Sequence, residues 1–91
     1  MNFTIYGREM CEYCDKAKEM CRQYGFTFDY HPIDDRFAGE TNFDTLKERA
    51  AKENLTIKTV PVIWHNNKFI GGYNELMSYI ENTREYGQGG F

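Results

Sequence analysis

Between Phe3 and His31 the chain switches hydrophobic period from that of a strand to that of a helix and back, which is the pattern of a βαβ unit. Phe3 to Tyr6 is a short β-rich run closed by Gly7. From Glu12 to Tyr24, Cys14, Ala17, Cys21 and Tyr24 recur at intervals of three, four and three, which is one helix face. Glu12 and Asp15 fall in the first turn, where the helix dipole favours anions, and Gly25 suits the C-terminal stop. Phe26, Phe28 and Tyr30 then alternate with Thr27, Asp29 and His31 as a second strand. Pro32 cannot donate to a ladder, so this strand lies at a sheet edge or ends there. A crossover of this kind is right-handed and joins parallel strands.

The rest of the chain extends that unit. Residues 33–41 form a polar loop, and Thr41 or Asn42 is expected to cap a second helix from about Phe43 to Glu53. Its apolar side is Phe43, Leu46 and Ala50, with Glu48 and Lys52 as an outside pair four apart. Val62 to His65 and Lys68 to Gly71 read as a hairpin about an Asn66-Asn67 turn. Asn74 is expected to cap a third helix, Glu75 to about Thr83, with Leu76, Met77 and Ile80 inward. The expected architecture is α/β in the order βαβαββα: one mixed four-stranded sheet with helices on both faces. It forms a single domain over residues 1–84, followed by a flexible, Gly-rich tail at 85–91.

Composition narrows the function classes. With 41% hydrophobic and 16% aromatic residues, a 91-residue chain can build one small core. A net charge of -3 argues against a nucleic-acid binder held by a broad basic surface. No apolar run reaches the length of a membrane span, and MNFTIYG lacks the basic start and apolar segment of a signal peptide, so the expected location is the cytoplasm. Cys11, Cys14 and Cys21 are odd in number and lie within eleven residues, unlike a disulfide framework.

The Cys11-x-x-Cys14 pair sits where strand passes into helix. Free N–H groups at the helix start point toward Cys11 and stabilise a thiolate over a thiol; Arg8 adds a nearby positive charge. Cys14, one turn in, is expected to stay a thiol, close enough to form a disulfide with Cys11. This arrangement provides an exposed nucleophile beside a buried resolving group. The motif alone leaves open a structural disulfide, half of a zinc site, or chance. Cys21, about 10 Å along the helix from Cys14, is too far to bridge and reads as core.

Two more segments bear on the choice. "YGREMCEYCDKAK" (6–18), "TVPVIW" (59–64) and "FIGGYNEL" (69–76) together resemble the three signature stretches of the glutaredoxins, of the short classical dithiol type. The resemblance covers roughly residues 3 to 83. It implies a thioredoxin-like fold, a cis bond between Val60 and Pro61, and glutathione as reductant. No bound cofactor is implied.

By the same resemblance, Cys11 is the nucleophile and Cys14 resolves. Glutathione is held by Arg8, Tyr13, Thr59, Val60, Pro61, Gly71, Gly72, Tyr73, Asn74 and Glu75. The partners implied are glutathione and disulfide-bearing proteins such as ribonucleotide reductase, with the protein a monomer.

Three positions depart from the family. Asn74 and Glu75 stand where a Ser or Thr and an Asp are usual, and Glu12 stands where Pro is common. A carboxylate beside Cys11 is expected to make the disulfide less oxidising. These departures keep open a redoxin served by thioredoxin reductase. A zinc or iron–sulfur carrier is the alternative of a different class.

Overall fold

A computed structural model of the chain describes the backbone of residues 1–89 and the side chains of residues 1–82. The elements follow the expected order: β1 (Asn2–Gly7), α1 (Glu12–Gln23), β2 (Thr27–Pro32), α2 (Gly39–Lys52), β3 (Val62–His65), β4 (Lys68–Gly71) and α3 (Tyr73–Gly89). The four strands form one sheet ordered β2-β1-β3-β4. β1 and β2 are parallel, while β1–β3 and β3–β4 are antiparallel. Pro32 ends β2 on the sheet edge, where its missing N–H leaves no central ladder incomplete.

Strand alternation divides the core in two. Phe3, Ile5 and Ile63 point to one face and pack with Ala17 and Cys21 of α1 and Leu76 and Ile80 of α3. Tyr6, Val62 and Trp64 point to the other and meet Leu46 of α2. The fold is therefore thioredoxin-like, with α1 and α3 on one side of the sheet and α2 on the other. Trp64, fully buried, places its Nε1–H 2.8 Å from Glu53 Oε2, which ties the end of α2 to the central hairpin.

Several helix details differ from the sequence expectation. α2 starts at Gly39, one turn before Phe43, and neither Thr41 nor Asn42 caps it. Asp35 Oδ2 instead accepts the N–H groups of Phe37 and Ala38 at 3.0 and 2.8 Å in the turn that leads in. Asn42 is occupied elsewhere, its Nδ2 donating to the Pro32 carbonyl at 2.7 Å. Phe43 is 41% exposed and not part of the apolar face. Glu48 and Lys52 form no ion pair among the described residues, whereas Lys47 and Asp44 do, at 3.5 Å.

α3 starts at Tyr73, so Asn74 is its second residue and not its cap. Leu76 N–H donates to the Gly72 carbonyl at 2.9 Å, and Glu75 Oε1 accepts the Gly72 N–H at 2.8 Å, which is the reciprocal half of a capping box. The α3 backbone continues through residues 85–89, inside the stretch expected to be a tail; residues 90 and 91 lie outside the described residues.

Candidate active site

β1 delivers the chain to the site and α1 begins there. Cys11 is the N-cap of α1, in extended conformation, and its Sγ accepts the Cys14 N–H at 3.2 Å. A sulfur has taken the place of the usual Ser or Asp oxygen, so one orphan donor of the helix start is aimed at it. Cys11 is more recessed than expected, at 8% exposure, and Cys14 is fully buried. All three cysteines are free thiols. The Val60–Pro61 bond is cis, and the Val60 carbonyl oxygen lies 3.9 Å from Cys11 Sγ.

Burial pushes the Cys14 thiol up to about 11, and its hydrogen bond with Cys11 acts in the same direction. The backbone of Arg8 and the side chain of Tyr30, both close to the sulfur, act against this. At neutral pH Cys14 therefore keeps its proton. Cys21 is likewise pushed up to about 11 by burial and lies in the core, away from the pair.

A groove of about 660 Å³ opens over Cys11. Of the residues expected to hold a ligand, Arg8, Tyr13, Thr59, Val60, Pro61, Gly72, Tyr73, Asn74 and Glu75 all line it. Tyr13 and Tyr73 stand with ring centroids 5.9 Å apart. Gly72 brings bare backbone to the groove, where an added Cβ would lie 3.6 Å from the Pro61 carbonyl oxygen. Gly71 is not a lining residue. It holds a φ of +123°, and a Cβ there would lie 2.8 Å from Glu75 Cγ, so its absent side chain makes room for the capping carboxylate.

Two departures acquire a physical setting. Because Gly72 is the cap, the Asn74 side chain faces the groove with no hydrogen bond among the described residues. Glu12 Oε1 lies 3.5 Å from Lys16 Nζ, which also sits 5.1 Å above the Tyr13 ring, so the carboxylate beside Cys11 is partly neutralised.

A match to the glutaredoxin family model spans residues 3–70. The chain belongs to the glutaredoxin family. This glutaredoxin is 32% identical over 86 residues to Glutaredoxin 1 of Escherichia coli, covering 91% of this chain and 96% of that one. It is also 33% identical over 75 residues to Glutaredoxin 3 of the same organism, covering 82% and 81%. Glutaredoxin 1 of Francisella tularensis, solved in complex with cacodylate, is similar in fold with a TM-score of 0.72 at 31% identity, covering 92% and 96% of the two chains. The buckwheat glutaredoxin–glutathione complex shares the fold, with a TM-score of 0.69 at 21% identity, over 89% of this chain and 69% of that one. The protein is a thiol-disulfide oxidoreductase, as its relatives are, with a C-x-x-C pair at the start of α1. Among the described residues, no helix is long and apolar enough to cross a membrane.

The groove also has walls that the three motifs did not announce. Ile33, Phe43 and Ile57 line it from outside those stretches; Met10, inside the first of them, lines it too and is 98% exposed with a φ of +54°. These residues come from four separate segments, and none has a local pattern that marks it. Tyr30, read only as a strand residue, brings its hydroxyl close to the buried cysteine. Its position in the alternating strand was the available signal.

Proposed function

We propose that the protein reduces protein disulfides and glutathione mixed disulfides with glutathione as its reductant. Ribonucleotide reductase is proposed among the protein substrates. The catalytic unit is residues 1–84, acting as a monomer in the cytoplasm. One observation carries the reading: the Cys11 sulfur lies 3.9 Å from the Val60 carbonyl oxygen, in a groove that the start of α3 also lines.

Glutathione is an extended tripeptide with a carboxylate at each end and an ammonium at one. The Val60 backbone can pair with its main chain as one rung of a sheet. The free N–H groups at the start of α3, with Asn74, suit the γ-glutamyl carboxylate. Tyr13 and Tyr73 wall the tripeptide, Arg8 and Thr59 supply polar contacts, and Gly72 allows close approach, with Gly71 behind it making room for Glu75. Glu75 is the weak point of the set, because its carboxylate already accepts the Gly72 N–H. It can serve the ammonium with its second oxygen only.

In the reaction, Cys11 thiolate attacks a sulfur of the target disulfide, and the other sulfur leaves as a thiol. Cys14 then attacks Cys11 Sγ, the mixed disulfide breaks, and the reduced target departs. Two glutathione molecules restore the dithiol and leave as glutathione disulfide. Removing glutathione from a glutathionylated protein needs Cys11 alone.

The test is turnover of a glutathione mixed disulfide and of a protein disulfide, supplied with either glutathione and its reductase or thioredoxin reductase. Turnover is expected with glutathione. Cys11→Ser abolishes both reactions, and Cys14→Ser spares the first. Activity only with thioredoxin reductase overturns the choice of reductant, and an active Cys11→Ser reverses the two roles.

A further inference from the structure

The buried sulfur of Cys14 must lose its proton before it can attack, in a setting that holds the proton tightly. The parallel β1–β2 register places Tyr30 opposite Ile5, hence on the sheet face covered by α1. The Tyr30 hydroxyl donates to the Arg8 carbonyl at 3.0 Å and stands close to Cys14 Sγ across Gly7. Gly7 permits the approach: a Cβ there would stand 2.6 Å from Tyr30 Oη and 2.8 Å from Cys14 Sγ. A phenol has one hydrogen, and here it stands between two acceptors, a carbonyl and a sulfur.

We infer that Tyr30 is a further catalytic residue, whose hydroxyl turns from the Arg8 carbonyl to the Cys14 sulfur as that sulfur ionises to resolve the mixed disulfide. The step balances without another reactant. The Cys14 S–H proton ends on the departing target thiolate, the Cys14–Cys11 bond forms, and the Cys11–target bond breaks. Tyr30 keeps its own proton throughout, because burial, first of all, and the neighbouring Cys14, Cys11 and Asp15 push its ionisation far up. The charged and titratable groups facing the pair are Cys11, Asp15 and Lys18 from α1 and the phenol itself from β2; β1 and the turn after it contribute backbone at Gly7 and Arg8. Lys18 Nζ stands 4.0 Å from the Tyr30 ring centroid and 3.4 Å from Asp15, so its charge is largely answered.

This inference rests on Cys11 attacking and Cys14 resolving, and an aromatic disulfide tests it without glutathione. In excess protein, dithiobis(nitrobenzoate) releases one coloured thiolate when Cys11 attacks and a second when Cys14 resolves. Tyr30→Phe is expected to slow the second phase about tenfold, the scale of one hydrogen bond to a charged sulfur. The pH midpoint of that phase moves upward, while the first phase changes by less than twofold. An unchanged second phase overturns the inference. So does an equal slowing of both phases, since that reports a general loss of structure. If the parent protein releases no second thiolate, the assignment of Cys14 as resolving residue fails first, and the role of Tyr30 falls with it.

Discussion

Gly7→Ala probes the same close approach through stability. The new methyl would lie 2.6 Å from Tyr30 Oη, 2.8 Å from Tyr30 Cε1 and 2.8 Å from Cys14 Sγ, whereas ordinary contacts begin at 3.4 Å. The phenol is a rigid ring and Cys14 is fixed in the first turn of α1, so relief requires the ring and helix to separate. Overpacking of this kind costs about 1–3 kcal/mol. Displacing Tyr30 from the Arg8 carbonyl adds about 1 kcal/mol. The expected loss is about 2–4 kcal/mol, which lowers Tm by about 10–20 °C in a domain of this size.

Thermal and urea unfolding of the reduced protein, followed by circular dichroism, measures this loss. A double-mutant cycle locates it. In a Tyr30→Ala background two of the three clashing atoms are gone, so adding Gly7→Ala is expected to cost less than about 1 kcal/mol more. A fall in Tm below about 3 °C, or the same cost in both backgrounds, would refute the idea that Gly7 is there to let phenol and sulfur meet.

Three further outcomes follow from the same coordinates. Cys14 and Cys21 are both pushed from 9.0 to about 11, so the fold holds their protons more tightly than the unfolded chain does. Their contribution is complete below pH 9 and is lost as pH rises from 9 to 11. Urea midpoints of reduced protein should therefore fall over that range, and less steeply in Cys21→Ala; an equal slope in the variant contradicts the assignment.

Met10 holds a left-handed backbone with its side chain 98% exposed, so Met10→Gly relieves the backbone without losing packing. A gain of about 0.5–1 kcal/mol in chemical unfolding is expected, and a loss would mean that the side chain makes contacts of its own. Glu12→Pro is expected to make the protein more oxidising in redox titration against glutathione. The change should be smaller than a bare charge would produce, because Lys16 stands 3.5 Å away, and Lys16→Gln should enlarge it. A shift of the opposite sign is incompatible with an electrostatic role for Glu12.

Much of the site was legible because its parts are local. Cys11 at the helix start, Cys14 one turn in and Gly72 beside the groove are consequences of short-range pattern, and the three stretches that carry them are close to contiguous motifs. The helix caps were less legible. Ala38, after a turn held by Asp35, caps α2 in place of Thr41 or Asn42, and Gly72 caps α3 in place of Asn74, since cap choice depends on which side chains other elements have already engaged, as Pro32 engages Asn42. The apolar wall of Ile33, Phe43 and Ile57 was not legible at all, because three segments outside the motifs assemble it.

Hydrophobic period and breaker residues alone determined the element order, the edge position of β2 and the placement of a nucleophilic sulfur at a helix mouth, since each depends on neighbours within a few residues. Tertiary structure decided how deeply Cys11 is set, which carboxylates remain available, and that a tyrosine from the edge strand reaches the buried cysteine. Those outcomes turn on strand register and on the side-chain volume of Gly7, quantities defined only once β1, β2 and α1 are packed together.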